Sequence, residues 1–422
     1  MEKIKYYAVL TFINMKKLET FIFTVAFTFA ISLVHAQSIE AIGALEFSPE
    51  GVLFVGDNLS GAIHAIDLRA ESRTAKTFEI NVYNVDARIA TILGTAPHHI
   101  QINDLAVHPK SGEAYLSVTR GHGVEALPAL IKIDAENALH AVDVSATQTT
   151  SQMLSKVPDL SMKFRPRGSM MSPPTAKDIA KAQRSRRMFS IMDMEYHKGE
   201  LFVSGVSNEE FSSVLRRMPY PFTGKESISN IEMFHIAHDQ YESRAPIRSM
   251  KIKNIDGIDQ IVAAYTCSPI VLIPLTDLTD GAKVKARTLG DMGNGQPLDM
   301  VSFNLMGQEM LFVTNSGRTP QVIPLKGLNN AKVVTDKDFE RGGKLDLSPV
   351  MPYGPMGEGV MFVGSSLHID LLNENHFVSL TRDAPTGSLD LETLMTMAPF
   401  KMNNIEAAEF DFPSYKPAQG KE

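Results

Sequence analysis

The stretch Leu45-Glu46-Phe47-Ser48-Pro49-Glu50-Gly51-Val52-Leu53-Phe54-Val55-Gly56-Asp57 reads as a strand, a turn and a second strand. Pro49 and Gly51 mark the turn, because Pro fixes its own φ and Gly tolerates backbone that other residues avoid. The flanks are apolar, aromatic and β-branched, a composition that packs on a pleated surface. Gly61-Ala62-Ile63-His64-Ala65-Ile66-Asp67-Leu68 follows, and Ile63-His64-Ala65-Ile66 has the period of two of a half-buried strand.

The same phrase returns down the chain. Asn103-Asp104-Leu105-Ala106-Val107-His108-Pro109 opens a second copy, continued by residues 112–118. Asp193-Met194-Glu195-Tyr196-His197-Lys198-Gly199 opens a third, continued by 201–205. A degenerate fourth centres on 261–265, a clear fifth runs from Asp299 with its centre at 310–313, and a weaker sixth holds 360–364 and 376–380. One such three- or four-stranded sheet cannot cover both its faces, whereas copies stacked around an axis cover each other. The expectation is an all-β chain, a six- or seven-bladed β-propeller over residues 37–412, with 413–422 as a C-terminal tail.

The central triplets sit at 53, 114, 201, 261, 311 and 361, so one interval is 87 residues long. That interval exceeds a blade of about 40–50 residues, and it points to a long partly helical insertion or irregular blade over 135–191. Within it lie Pro158, Pro173-Pro174 and a helix-like segment over 175–188. A seventh blade has room in 135–154, or the ring closes through a terminal strand at 407–412.

The first 36 residues read as a signal peptide. Lys16 and Lys17 supply a positive start, an uncharged apolar run covers 21–34, and Val34-His35-Ala36 presents small residues at a cleavage position. Fourteen apolar residues are short for a bilayer span, and no second such run follows. The expected location is secreted or periplasmic, with the mature chain starting at Gln37 and no membrane span in it. The segment carries four Lys and two Glu, so its removal takes the net charge from −7 to −9. Neither value gives electrostatic support for a nucleic-acid partner. The one basic run, residues 184–187, reads as a solvated face. A single cysteine, Cys267, excludes an internal disulfide framework.

Phe47-Ser48-Pro49-Glu50-Gly51 followed by Leu53-Phe54-Val55 resembles the blade signature of the NHL, YVTN and gluconolactonase-like propellers. Asn103-Asp104-Leu105-Ala106-Val107-His108-Pro109 is similar to the Asn-Asp phrase of the gluconolactonase and regucalcin family. That resemblance implies a divalent cation such as calcium in the central channel, with Asn103 as a ligand.

From the residues alone, Asp104, Asp193 and Asp299 share one position of three first strands. Either the three carboxylates converge on an axial cation or cationic ligand, or each closes a turn on nearby backbone amides. His98, His99, Arg120 and His122 flank the second copy, and histidines drawn from several blades suit copper or zinc. His235 and His238 are three apart. There is no Gly-x-Ser-x-Gly elbow and no Cys-x-x-Cys-His haem motif. Three functions stay open: a module binding a small molecule or protein at one propeller face, a metal-dependent hydrolase, lactonase or lyase, and a copper-type redox propeller.

Overall fold

The computed structural model describes residues 38–70, 79–164, 184–266, 269–292, 295–317, 320–338, 365–383 and 386–397, with a few positions between 165 and 183. The signal segment, Cys267, the C-terminal tail, residues 360–364 and 407–412, and 178–183 of the helix-like segment fall outside them. Six antiparallel sheets form the six blades of a β-propeller.

Blade 1 begins with β1 (Leu45–Phe47), β2 (Val52–Asp57) and β3 (Ala62–Asp67). The chain then leaves through β4 (Asn81–Val82) and helix α1 (Val85–Ile92). Blade 2 is β5 (Ile100–Val107), β6 (Ala114–Arg120), β7 (Leu127–Ile133) and β8 (Leu139–Ala141). After it β9 (Thr149–Met153) returns to pair with β3 as the fourth strand of blade 1. Blade 3 is β10 (Asp193–His197), β11 (Glu200–Val206), β12 (Ser213–Pro219) and β13 (Ser227–His235), extended by β14 (Gln240–Glu242). Blade 4 is β15 (Ile247–Ile255), β16 (Ile258–Tyr265) and β17 (Pro269–Pro274). Next, β18 (Lys283–Lys285) pairs parallel to β13, and β19 (Arg287–Asp291) completes blade 4. Blade 5 is β20 (Pro297–Leu305), β21 (Gln308–Asn315) and β22 (Gln321–Pro324). Blade 6 is β23 (Ser365–Asn373), β24 (His376–Arg382) and β25 (Leu389–Met395), with β4 as its outer strand.

The order around the axis is not the order in the chain. Inner-strand neighbours are β1 with β10, β10 with β15, β15 with β20, β20 with β23, β23 with β5, and β5 with β1. The ring therefore runs 1-3-4-5-6-2, with the second blade made lying between the last and the first. Six buried apolar clusters fill the six interfaces. Leu105, Leu116, Val118, Val378 and Leu380 join blades 2 and 6, while Leu45, Leu53, Ala106 and Tyr115 join blades 1 and 2.

The triplets at 53, 114, 201, 261 and 311 all fall in second strands, β2, β6, β11, β16 and β21. The sixth copy is displaced, because the second strand of blade 6 is β24, later than the triplet at 361. Much of the 87-residue interval is propeller: β8 and β9 supply the outer strands of blades 2 and 1. Their sequences, Leu139-His140-Ala141 and Thr149-Thr150-Ser151-Gln152-Met153, are too short and polar to show an apolar period.

Beyond β9 the excursion returns at 184–192. Arg187 is not a solvated charge. It donates to the carbonyls of Asn58, Leu59, Ser60 and Pro158 at 3.0–3.2 Å, capping the turn between β2 and β3. Gly205 explains how the strand fits beneath, since a Cβ there would lie 2.1 Å from the Ser190 carbonyl oxygen.

Candidate functional site

Strand alternation aims every second residue of an inner strand at the axis. Two layers of side chains result. The first comprises Ala44, Asp104, Asp193, Ser249, Asp299 and His368. The second, two residues on, comprises Glu46, Ala106, Glu195, Lys251, Val301 and Asp370. Six carboxylates, one ammonium and one imidazole thus share a narrow channel whose enclosed cavity is about 30 Å³.

The carboxylates hold the ring together in one rotational sense. Asp104 accepts the Leu45 N–H of blade 1 (2.7 Å), Asp193 the Met250 N–H of blade 4 (2.6 Å), and Asp299 the Ile369 N–H of blade 6 (2.9 Å). Asp370 accepts the Val107 N–H of blade 2 (2.7 Å), and Glu46 the Tyr196 N–H of blade 3 (3.0 Å). Each Asp also accepts the N–H of the residue after it. Between blades 4 and 5 the layer positions of blade 4 are Ser249 and Lys251, and Lys253 makes the bridge instead, donating to Ser302 at 3.2 Å and pairing with Glu309.

Charge is balanced within the channel. Lys251 Nζ lies 2.7 Å from Glu195 and 4.0 Å from Glu46. Burial disfavours its ammonium, but Glu195, Glu46, Asp193 and Asp370 overcome that and hold its pKa well above the ordinary value. Burial raises the Asp193 carboxyl to about 8, and the Asp299 and Asp104 carboxylates add to the rise against Lys251. Burial likewise raises Asp370 to about 6 and Glu46 well above its usual range. His368 Nδ1 sits 3.2 Å from Asp104 Oδ1 and 3.5 Å from Asp299 Oδ2. Burial works against its charged form, yet those two carboxylates lift it to about 9. Burial thus favours a proton on Asp193, and the two facing carboxylates favour the imidazolium form of His368.

The aspartates read from the sequence all face this channel. Asn103 has a different place: it sits at a bulge in β5 and donates to the Ile42 carbonyl (2.8 Å) and Thr119 Oγ1 (2.9 Å). His98, His99 and His122 do gather, with ring centroids 4.2 Å apart for the first pair and 5.3 Å for the second. Arg120 ends the neighbouring strand β6, paired with Leu127 and Ile100. His122 Nε2 and His99 Nδ1 are engaged by the His98 carbonyl and Thr95 Oγ1.

Glu46, Glu195, Lys251, His368 and Asp370 were not singled out from the sequence. The spacing Asp193-x-Glu195 carried a signal for Glu195, since a strand shows every second residue to one side.

A calcium-type ion does not fit between Asp104 and Asp299. Calcium takes six to eight oxygens, whereas all four oxygens of these acids accept backbone N–H groups and the nearest further group is the His368 imidazole. A proton on His368 supplies the positive charge the pair requires.

A second concavity lies on the face where the inner strands begin. An open cleft of about 680 Å³ is lined by Phe211, Asn230, Arg244, Lys283 and neighbouring groups. Asn230 donates to the Phe211 carbonyl at 2.6 Å, Arg244 pairs with Glu210 at 2.6 Å, and Lys283 Nζ stands 5.8 Å from the Phe211 ring centroid. Among the described residues no helix is long and apolar enough to cross a membrane.

No family model and no curated protein matches the chain. Among solved structures it is similar to a glucose dehydrogenase at 12% identity, covering 84% of this chain and 96% of that one, with a TM-score of 0.34. It is also similar to the PQQ-bound form of an aldose sugar dehydrogenase from Streptomyces coelicolor at 12% identity, covering 85% and 95%, with a TM-score of 0.33. A native arabinanase from Bacillus subtilis is matched at 14% identity over 69% and 92%, TM-score 0.33.

Proposed function

We propose that this chain is a secreted or periplasmic binding propeller that takes a polar small molecule or peptide segment on the face where its inner strands begin. One observation carries the reading. The channel, where several blades could bring catalytic groups together, encloses only about 30 Å³ and is crossed by inter-blade hydrogen bonds. That is room for about one water molecule. The cleft beside Phe211, by contrast, has the size of a small-molecule site, for which about 300–1,000 Å³ is usual. Its lining of one aromatic ring, an amide and charges of both signs suits a polar ligand.

Calorimetric titration of the purified chain with sugars and short charged peptides tests this. Binding should appear for one class and weaken by roughly tenfold or more in Phe211→Ala or Lys283→Ala, as expected when an aromatic or cationic contact is removed. Turnover of any member of a lactone, ester or glycan panel would overturn it. Terminal sequencing of the exported protein should find Gln37 first, and an intact residue 1 on exported protein would refute the signal-peptide part.

A further inference from the structure

Strand β13 ends at His235, a short 3-10 turn (Ile236–His238) follows, and β14 comes back along β13 with Met233 opposite Glu242 and His235 opposite Gln240. Directly opposed residues of an antiparallel pair point to the same side, and so do alternate residues of one strand. His235, Gln240 and Glu242 therefore share one face of this hairpin, and the turn swings His238 over the same spot. Phe234 and Tyr241 take the other face, where Phe234, Ile236 and Val334 form a buried cluster with Tyr241 packed against it. The hairpin is thus held from behind while its polar face converges.

The convergence is close. His235 Nδ1 lies 2.9 Å from Glu242 Oε2, His238 Nδ1 lies 2.6 Å from Glu242 Oε1, and the two imidazole centroids are 3.9 Å apart. One ligand atom from each of the three residues falls within 4.8 Å of the other two. Gln240 Nε2 steadies the carboxylate from the side at 2.8 Å. His235 is fully buried, whereas the His238 side chain is 40% exposed, so the cluster opens to solvent on one side.

We infer that His235, His238 and Glu242 form a site for a divalent first-row transition metal of the zinc type, with one coordination position open to solvent. Two imidazole nitrogens and one carboxylate oxygen are ligands that suit zinc, with bonds of about 2.0–2.2 Å. Tetrahedral ligands at such bond lengths stand roughly 3.3 Å apart. The present separations need only a small outward shift of side chains to admit the ion. Unlike the channel aspartates, whose oxygens accept backbone N–H groups, Glu242 is met by side-chain groups of His235, His238 and Gln240. The site is independent of the Phe211 cleft, none of whose lining residues is a proposed ligand.

Titration of the chelator-stripped chain with zinc alone tests this, followed by calorimetry and by the visible absorption of a cobalt substitute. One equivalent should bind. Removing an outer-sphere partner typically costs 10–100-fold in metal affinity, so Gln240→Ala should weaken binding about tenfold, and His238→Ala or Glu242→Gln by about a hundredfold or more. His122→Ala and Asp299→Asn, which alter the other two histidine clusters, should leave the stoichiometry and the cobalt spectrum unchanged. The inference is overturned if the folded wild-type chain takes up no zinc, or if His238→Ala and Glu242→Gln bind it as the wild type does. It is equally overturned if the one equivalent is lost in His122→Ala or Asp299→Asn.

Discussion

Two groups of carboxylates in this molecule do opposite things. In the channel, Asp104, Asp193, Asp299 and Asp370 accept backbone N–H groups from an adjacent blade and from their own strand. At the rim, Glu242 receives two imidazoles and an amide. Backbone donors cannot be rearranged without breaking the sheet, so the channel acids are fixed parts of the frame. Side-chain donors are not tied into a ladder, so the spacing between Glu242 and its partners can change without breaking the sheet. The residue type says little until its donors are known.

The largest test of that contrast is Lys251→Met. Removing one member of a buried charge cluster typically costs 3–5 kcal/mol, because the remaining charges are left uncompensated. A loss of about that size should appear in denaturant unfolding at pH 7, and it should shrink at pH 5 as Asp370, raised to about 6, takes up its proton. A loss below about 1 kcal/mol at pH 7 would mean the channel carboxylates do not depend on the ammonium.

Next in size is a difference between two equivalent aspartates. Asp104→Asn should cost about 1–3 kcal/mol, the usual cost of leaving a buried hydrogen-bonding group unsatisfied. Asp193→Asn, measured at pH 6, should cost less, because Asp193, with its pKa raised to about 8, is already protonated there. Equal losses at pH 6 would refute the raised Asp193 pKa.

The pH dependence should separate channel and rim more gently. Asp193 is raised from 3.8 to about 8 and His368 from 6.5 to about 9, so the folded state binds protons the unfolded chain has released. Stability falls with pH wherever the native state holds the extra proton. The Asp193 contribution is lost between about pH 4 and 8, and that of His368 between about 6.5 and 9. Asp193→Asn and His368→Gln should each flatten the fall of melting temperature in its own window. Glu242 has the opposite sign. Burial opposes its charge, but His235, His238 and Gln240 hold its pKa far below the ordinary carboxylate range. Its contribution is present above about pH 4.5 and is lost on acidification, a loss that Glu242→Gln should remove.

The smallest effect is expected from Glu242→Gln in the metal-free chain at pH 7. Partly exposed ion pairs contribute about 1 kcal/mol or less, and the loss should stay in that range.

The second strands were legible because Leu53-Phe54-Val55 and its counterparts are buried on both faces and so form continuous apolar runs. The shared position of Asp104, Asp193 and Asp299 was legible as well, since a common blade phrase aligns them. What each aspartate touches was not, because Leu45, Met250 and Ile369 lie 57 to 70 residues away in sequence. Lys251 and His368 escaped for another reason: blades 4 and 6 lack the Asp-opening phrase, so nothing set the phase of their inner strands. The strands β4, β8 and β9 are short and polar, and they acquire strand character only from the partner they pair with.

Blade 2 is finished by Ala141, but one of its flanks is built from strands that end only at Met395. While about 250 further residues are synthesised, Leu105, Val107, Leu116 and Val118 have no opposite wall of Val378, Leu380 and Leu391 to close on. At 5–20 residues per second that interval lasts on the order of 10–50 s. A chain that folded blade 2 as it was made would therefore carry a sticky, half-covered blade until its last strands emerged.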